Sequence, residues 1–275
     1  MRRRNLGIVT VRQAVMVAMA IVSLYPLWFL VQTALKTNED YTLSPTGFPT
    51  SPTLHNLKTV IVDLPVPRWA LNSAIVTIAS VGISTIIALF AAYAIVFSSM
   101  RLRELLLRTN LALMVIPPVA LLIPMFIFMV DVHLINSLTS VIIFYSGLML
   151  PFSVFFFVNF FRQFPMELIE AATVDGAKPW TTLRRIVLPI SAAATFTLVI
   201  VNAIWVWNEL LIALVFLQDE NRRTLMAGLT LFQGRYATNE PLVLAGAFIS
   251  ILPVILVYLA GQRFFVRGLT AGIGK

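Results

Sequence analysis

The sequence predicts an all-α polytopic membrane protein with six transmembrane helices, and three observations carry that prediction. Charged residues make up 12% of the 275, about half of what a soluble domain carries, and the mean hydropathy is +0.90. Apolar runs long enough for a hydrocarbon core, about 20 helical residues, occupy 14–35, 70–97, 109–130, 138–161, 190–217 and 242–262. The cationic residues, finally, divide unevenly between the segments joining those runs.

Taken in order, the first run follows Arg2, Arg3 and Arg4 and contains Ala18-Met19-Ala20, which has the small-x-small look of a signal-peptidase site. It outlasts the roughly 7 to 15 apolar residues of a signal core, so a retained helix is expected. The loop 36–69 holds Pro45, Pro49, Pro52, Pro65 and Pro67, which favour turns and extended chain over helix and predict an ordered cap. In the second run Ser73, Thr77, Ser80 and Ser84 recur at i, i+4, i+7 and i+11 and share one face, as small polar residues do in helix packing or along a wet pathway. The connection 98–104 is tight. Pro117, Pro118 and Pro124 in the third run, Pro151 in the fourth and Pro253 in the sixth each remove a backbone donor. Kinks are expected there, with freed carbonyls satisfied by neighbours or by cavity water. Prolines are also simply common in membrane helices, so a role in shaping a translocation path is one of two readings. The fifth run contains a single charge, Glu209. The whole of 1–275 reads as one transmembrane domain without a soluble appendage.

Of the 20 Lys and Arg residues, six (Lys36, Lys58, Arg68, Arg222, Arg223, Arg235) fall on one side of this arrangement and the other fourteen on the opposite side. By the positive-inside bias the richer side is cytoplasmic, with both termini on it. Loops 36–69 and 218–241 are then extracytoplasmic, and 162–189 is a long cytoplasmic segment. The net charge of +8 reflects that bias rather than a nucleic-acid surface. The sequence has no cysteine and two histidines, His55 and His133, so disulfides, thiolate metal sites and a histidine-built metal centre are all excluded. No phosphate cradle of the form G-x-x-x-x-G-K-[ST] is present: Gly176-Ala177-Lys178 runs into a proline, and Gly274-Lys275 ends the sequence. ATP hydrolysis by that route is therefore not expected of this chain.

Residues 170–189 read EAATVDGAKPWTTLRRIVLP and are far more polar than their surroundings. Pro165 and Glu167 suit a helix start. Leu168, Ile169, Ala171, Ala172 and Asp175 give that helix a narrow face of small and apolar residues, and Gly176 can take the positive φ that ends it. Pro179 opens a second helix, in which Trp180, Leu183, Ile186, Val187 and Ile190 form an apolar stripe; Pro189 is expected to end it, with Arg184 and Arg185 in water. A connection within a bundle needs only about 2 to 8 residues, and this one is several times longer. Its small side chains leave the backbone approachable, while Glu170 and Asp175 supply charge, a shape suited to filling a socket.

Glu170-Ala171-Ala172, Asp175-Gly176-Ala177, Ile186 and Leu188-Pro189 resemble the EAA loop of ABC importer permeases, which docks in a cleft of the ATPase subunit. Leu24-Tyr25-Pro26-Leu27-Trp28 with Lys36, Leu71-Asn72-Ser73, Trp207-Asn208-Glu209 and the stretch Gln262 to Gly272 resemble the carbohydrate-uptake, maltose-permease-like branch, over nearly the whole chain. One departure is Ser191-Ala192-Ala193-Ala194, where that branch carries a second proline. The resemblance implies a type I importer bundle with a cytoplasmic coupling helix and a non-catalytic permease in a prokaryotic plasma membrane. It further implies a second homologous permease, two ATPase subunits that use ATP and Mg2+, and an extracytoplasmic sugar-binding protein. The cycle it implies is alternating access, with Glu170, Ala171, Ala172, Asp175, Gly176 and Ala177 coupling to the ATPase. Candidate pathway or gate residues are Asn72 and Ser73 in the second helix and Trp205, Asn208 and Glu209 in the fifth, where an aromatic sits beside hydrogen-bonding groups; for Glu209 a hydrogen bond to another helix that serves assembly alone, or an outward, loop-like position, are the other readings. The competing reading is a self-powered secondary transporter or channel. Such proteins use intramembrane acids, histidines or arginines as relays, and here only Glu209 lies well inside a run.

Overall fold

The computed structural model describes residues 6–235 and 239–271; Arg2, Arg3, Arg4, Gly272 and Lys275 lie outside them. Among the described residues the chain is helical, with no strand, in thirteen α-helices. These are α1 (Leu6–Ala34), α2 (Asn38–Leu43), α3 (His55–Lys58), α4 (Val66–Val96), α5 (Met100–Met114), α6 (Pro118–Asp131) and α7 (Leu138–Phe161), then α8 (Met166–Val174), α9 (Pro179–Thr182), α10 (Leu188–Asn208), α11 (Leu211–Phe216), α12 (Leu225–Arg235) and α13 (Glu240–Ala271). Two compact units form, one from residues up to 67 with 228–253, the other from 68–227 with the chain from 254 onward.

In the first unit α1 is apolar and exposed along its candidate span. The chain after it is folded into short helices and turns held by a set of polar contacts. Lys36 is fully buried, and its ammonium donates to the carbonyls of Ser44 (2.7 Å) and Pro45 (3.1 Å). The Asp40 carboxylate accepts from the Thr50 amide and hydroxyl at 3.0 and 2.9 Å. Asn56 donates to the carbonyls of Ala34 and Lys36, which the end of α1 leaves without helical partners. Gly246 of α13 lies close to Leu229 and Phe232 of α12, where an added Cβ would come within 3.2 Å.

The second unit is built around α7, whose face of Tyr145, Met149, Phe157 and Phe161 is buried. One apolar cluster joins Val76, Met129, Phe144, Tyr145 and Phe216; another joins Ala88, Ala92, Phe157, Phe161, Leu183 and Val187. The serine and threonine face of α4 is buried against them: Ser73, Thr77, Ser80 and Ser84 are all less than a tenth exposed. The Ser146 hydroxyl donates to the Ser80 carbonyl at 3.3 Å. Within the chain that face lies in the packing between helices.

Two predicted spans are not single helices. The run 109–130 is divided between α5 and α6, which meet at 90°. Pro118 opens α6 and Pro117 precedes it; consecutive prolines remove two donors and bar the preceding residues from the helical region. Pro26, Pro124, Pro151 and Pro253, by contrast, lie inside helices that continue through them. The run 190–217 breaks after Asn208, and α11 starts at Leu211. Among the described residues four helices are long and apolar enough to cross a membrane, and the bent α5–α6 pair makes a fifth if it is one span. Among the residues whose side chains are described, Glu240–Leu256 of α13 is also apolar.

Candidate functional site

The polar segment is a helical hairpin. Helix α8 starts after Pro165 with Glu167 in its first turn, against the positive end of the helix. Gly176 has φ +78°. Its amide donates to the Thr173 carbonyl at 3.0 Å and that of Ala177 to the Ala172 carbonyl at 2.9 Å, the pair of bonds that defines a Schellman stop. A Cβ at Gly176 would meet nothing within 4 Å, so the chain itself leaves this turn open. Glu170, Ala171, Asp175 and Gly176 are exposed, Ala177 is half-buried, and Ala172 is turned inward. A groove of about 570 Å³ opens between the two arms, lined by Asp175, Gly176, Lys178, Thr182 and Arg185 among others.

The second arm departs from expectation. It begins at Pro179 but does not end at Pro189. α9 runs into a π turn over Leu183–Val187, and that into α10, so one continuous helix extends from Pro179 to Asn208. In an unbroken α-helix the Pro189 ring would clash with the carbonyl four residues back. The wide turn, closed by the Leu188 amide on the Leu183 carbonyl, lies immediately before Pro189, and the helix continues through that proline. The stripe is also only partly buried: Leu183 and Val187 are inside, Ile186 is half-buried, and Trp180 and Ile190 are exposed. Trp180 nevertheless lies flat on Phe90 of α4, with ring centroids 6.0 Å apart and planes within 10°. The Tyr93 hydroxyl donates to the Pro179 carbonyl at 3.0 Å. Phe90 and Tyr93 carried no signal in the sequence, because their partners lie far along the chain.

The pathway candidates form two separate groups. Asn72 donates to the carbonyls of Asn221 (3.0 Å) and Arg223 (2.9 Å), and the Ser73 hydroxyl accepts from the Leu225 amide at 2.8 Å. Trp69 donates to the Glu220 carbonyl at 2.7 Å. These three residues of α4 hold the strap 220–225. Asn136, with φ 58°, holds its other flank: its carbonyl accepts from Arg222 at 2.6 Å and its side chain from the Asp219 amide at 3.0 Å.

Glu209 sits at the break itself. Its carboxylate accepts from the amides of Ile212 (3.0 Å) and Ala213 (3.3 Å), so that it caps α11, and from the Tyr145 hydroxyl of α7. The Tyr145 ring meets Trp205 edge to face at 5.7 Å. Asn208 does not join them, since its amide turns back to the Ile204 carbonyl at 2.7 Å. Trp205 instead lines a cavity of about 260 Å³ with Met149, Phe152 and Asn202. Asn202, bonded to Ser153 at 3.0 Å, stood in an apolar run with nothing in sequence to single it out.

Residues 84–270 match the family described as binding-protein-dependent transport system inner membrane component. The chain is 35% identical over 250 residues to the sulfoquinovosyl glycerol transport system permease protein of Agrobacterium fabrum, covering 90% of this chain and 88% of that protein. It is 30% identical to the melibiose/raffinose/stachyose import permease of Bacillus subtilis over 275 residues, 100% of this chain and 98% of that one. Its fold superposes with a TM-score of 0.82 and 25% identity on a chain of a bacterial ABC transporter involved in the import of the acidic polysaccharide alginate, over 96% of this chain and 99% of that chain. A membrane-embedded helical bundle, a matching family model over most of its length and full-length relatives of the same kind lead to one conclusion: this chain belongs to the binding-protein-dependent transport system inner membrane components and is a permease subunit of an ABC importer.

Proposed function

We propose that the chain carries a carbohydrate or related polar solute through the cytoplasmic membrane of a prokaryote by alternating access, with a partner ATPase docked on the tip of the hairpin, residues 170–177. The hairpin carries this reading. Glu170, Asp175 and an open, positive-φ Gly176 are all exposed among the described residues. The assembly would contain a second permease, two ATPase subunits that bind ATP and Mg2+, and an extracytoplasmic binding protein meeting loops 36–69 and 218–241, with both termini on the ATPase side. The carbohydrate class rests on the two relatives, whose names specify sulfoquinovosyl glycerol in one case and melibiose, raffinose and stachyose in the other.

Within this reading Asn72 and Ser73 fasten the extracytoplasmic strap, while Glu209 and Tyr145 position Trp205 beside its cavity. The capped Glu209 carboxylate also weakens the self-powered alternative, because a relay needs an acid free to exchange protons and this one is held by two amides and a phenol. Gly176→Val tests the proposal. A β-branched residue at that φ costs about 1 to 2 kcal/mol and fills the docking space. Membrane insertion should survive while ATP-driven uptake falls. Intact uptake would refute coupling through the hairpin.

A further inference from the structure

The two stitched regions of the second unit lie at opposite ends of one helix. At one end of α4, Phe90 stacks on Trp180 and Tyr93 bonds to Pro179, both at the root of the hairpin's second arm. At the other, Trp69, Asn72 and Ser73 bond to the strap 220–225. Between them α4 runs as uninterrupted α-helix, with no proline or π turn after Pro67, over about 36 Å from residue 69 to residue 93 at 1.5 Å per residue. α10, the direct covalent continuation of the hairpin, is less suited to carry displacement along its length: it begins in a π turn and ends at the break before Leu210. A π turn is a site of bending.

We propose that α4 is the rod that transmits movement of the hairpin to the extracytoplasmic strap, and that Phe90, Tyr93 and Trp180 are positioning residues for transport. The contacts have the required character. The ring stack and the hydroxyl-to-carbonyl bond hold adjacent residues of the arm, Trp180 and Pro179, from positions three apart on α4, so the arm cannot slide along α4 without breaking them. At the far end, Asn72 and Trp69 grip backbone carbonyls rather than side chains, so rotation or translation of α4 moves the strap backbone itself. The strap's other flank is held by Asn136, so such a movement would shear it against the loop between α6 and α7. This inference rests on the hairpin being the ATPase contact.

The chain has no cysteine, so a thiol introduced as Asn221→Cys is the single reporter within it, and the complex lacking that substitution supplies the background from its partners. In the purified complex of this chain with its permease and ATPase partners, its reaction rate with a charged methanethiosulfonate is measured with and without MgATP and vanadate. The rod predicts a rate change that Trp180→Ala reduces about three- to tenfold, the range that loss of one aromatic pair supports, while the ATPase still co-purifies, hydrolyses ATP and the nucleotide-free rate stays as it was. Trp180→Phe should restore the response. Asn72→Leu should blunt it from the other end. Three results overturn the proposal: no nucleotide-dependent change at Asn221→Cys in the otherwise native chain, an undiminished change in Trp180→Ala, or loss of the ATPase from the Trp180→Ala complex, which would place Trp180 in the docking surface. If Gly176→Val uncouples uptake while Trp180→Ala does not alter the response, the hairpin still docks the ATPase and only the rod is wrong.

Discussion

The hairpin and the Glu209 joint are both polar islands in an apolar chain, and they use their polar groups in opposite ways. At Glu209 the carboxylate is engaged within the chain by two amides of α11 and the Tyr145 hydroxyl. On the hairpin, Glu170 and Asp175 are exposed, and a Cβ could be added to Gly176 without touching the chain. In lipid a polar group without a partner is costly, so inward satisfaction marks a joint that holds one conformation. Outward display marks a surface whose partner is another molecule. The difference separates a residue that positions from residues that dock.

The contrast is most exposed to test at the hairpin turn. Gly176→Val should abolish most ATP-driven uptake, and Gly176→Ala should lower it less, since both incur the positive-φ strain of about 1 to 2 kcal/mol but only the valine fills the groove. Equal effects from the two would mean that strain alone, and not docking space, decides the outcome.

At the joint, Glu209→Leu leaves the Ile212 and Ala213 amides and the Tyr145 hydroxyl without their acceptor. A loss of about 1 to 3 kcal/mol is expected, read as a lower unfolding midpoint in detergent together with slower transport. Glu209→Gln keeps the shape and most of the bonding, so it should retain more of both. If both variants assemble and transport with unchanged rate and apparent affinity, Glu209 has no role in the pathway.

A smaller stability effect is expected where the grip is a single neutral hydrogen bond. Tyr93→Phe removes only the bond to the Pro179 carbonyl and should cost about 0.5 to 1.5 kcal/mol, seen as a modest drop in the same midpoint. A loss as large as that of Glu209→Leu would show that the hairpin root, too, is a joint of the first kind. The sidedness underlying the comparison is checked by labelling alone. Thr46→Cys and Asn221→Cys should react with an impermeant thiol reagent added to intact cells, and Thr173→Cys should not; the reverse pattern would invert the topology.

Much of the hairpin was legible in the sequence, because its signals are local. Pro165, Gly176 and Pro179 act through their own backbone dihedrals, and the structure places the helix start, the positive-φ stop and the second helix start where those residues stand. The class of the protein was legible for a similar reason. Transfer of an apolar run into hydrocarbon depends on its composition and length, which the chain displays residue by residue. Pro117-Pro118 likewise announced a distortion, though not a turn of 90°.

Pro189 shows where local reading ends. In isolation it signals a stop, but the π turn over Leu183–Val187, with both of those residues buried in the core, carries the helix through it. The same limit governs Glu209. The sequence identified a costly charge in an apolar run, and only folding decided that its partners would be Tyr145, 64 positions away, and the start of a new helix. The stack of Phe90 on Trp180 and the bonds from Asn72 and Ser73 to the strap join residues between 90 and 152 positions apart. Periodicity and propensity describe how a residue relates to its own turn of helix. Which turns meet is set by the packing of whole faces, and that exists only in the assembled bundle.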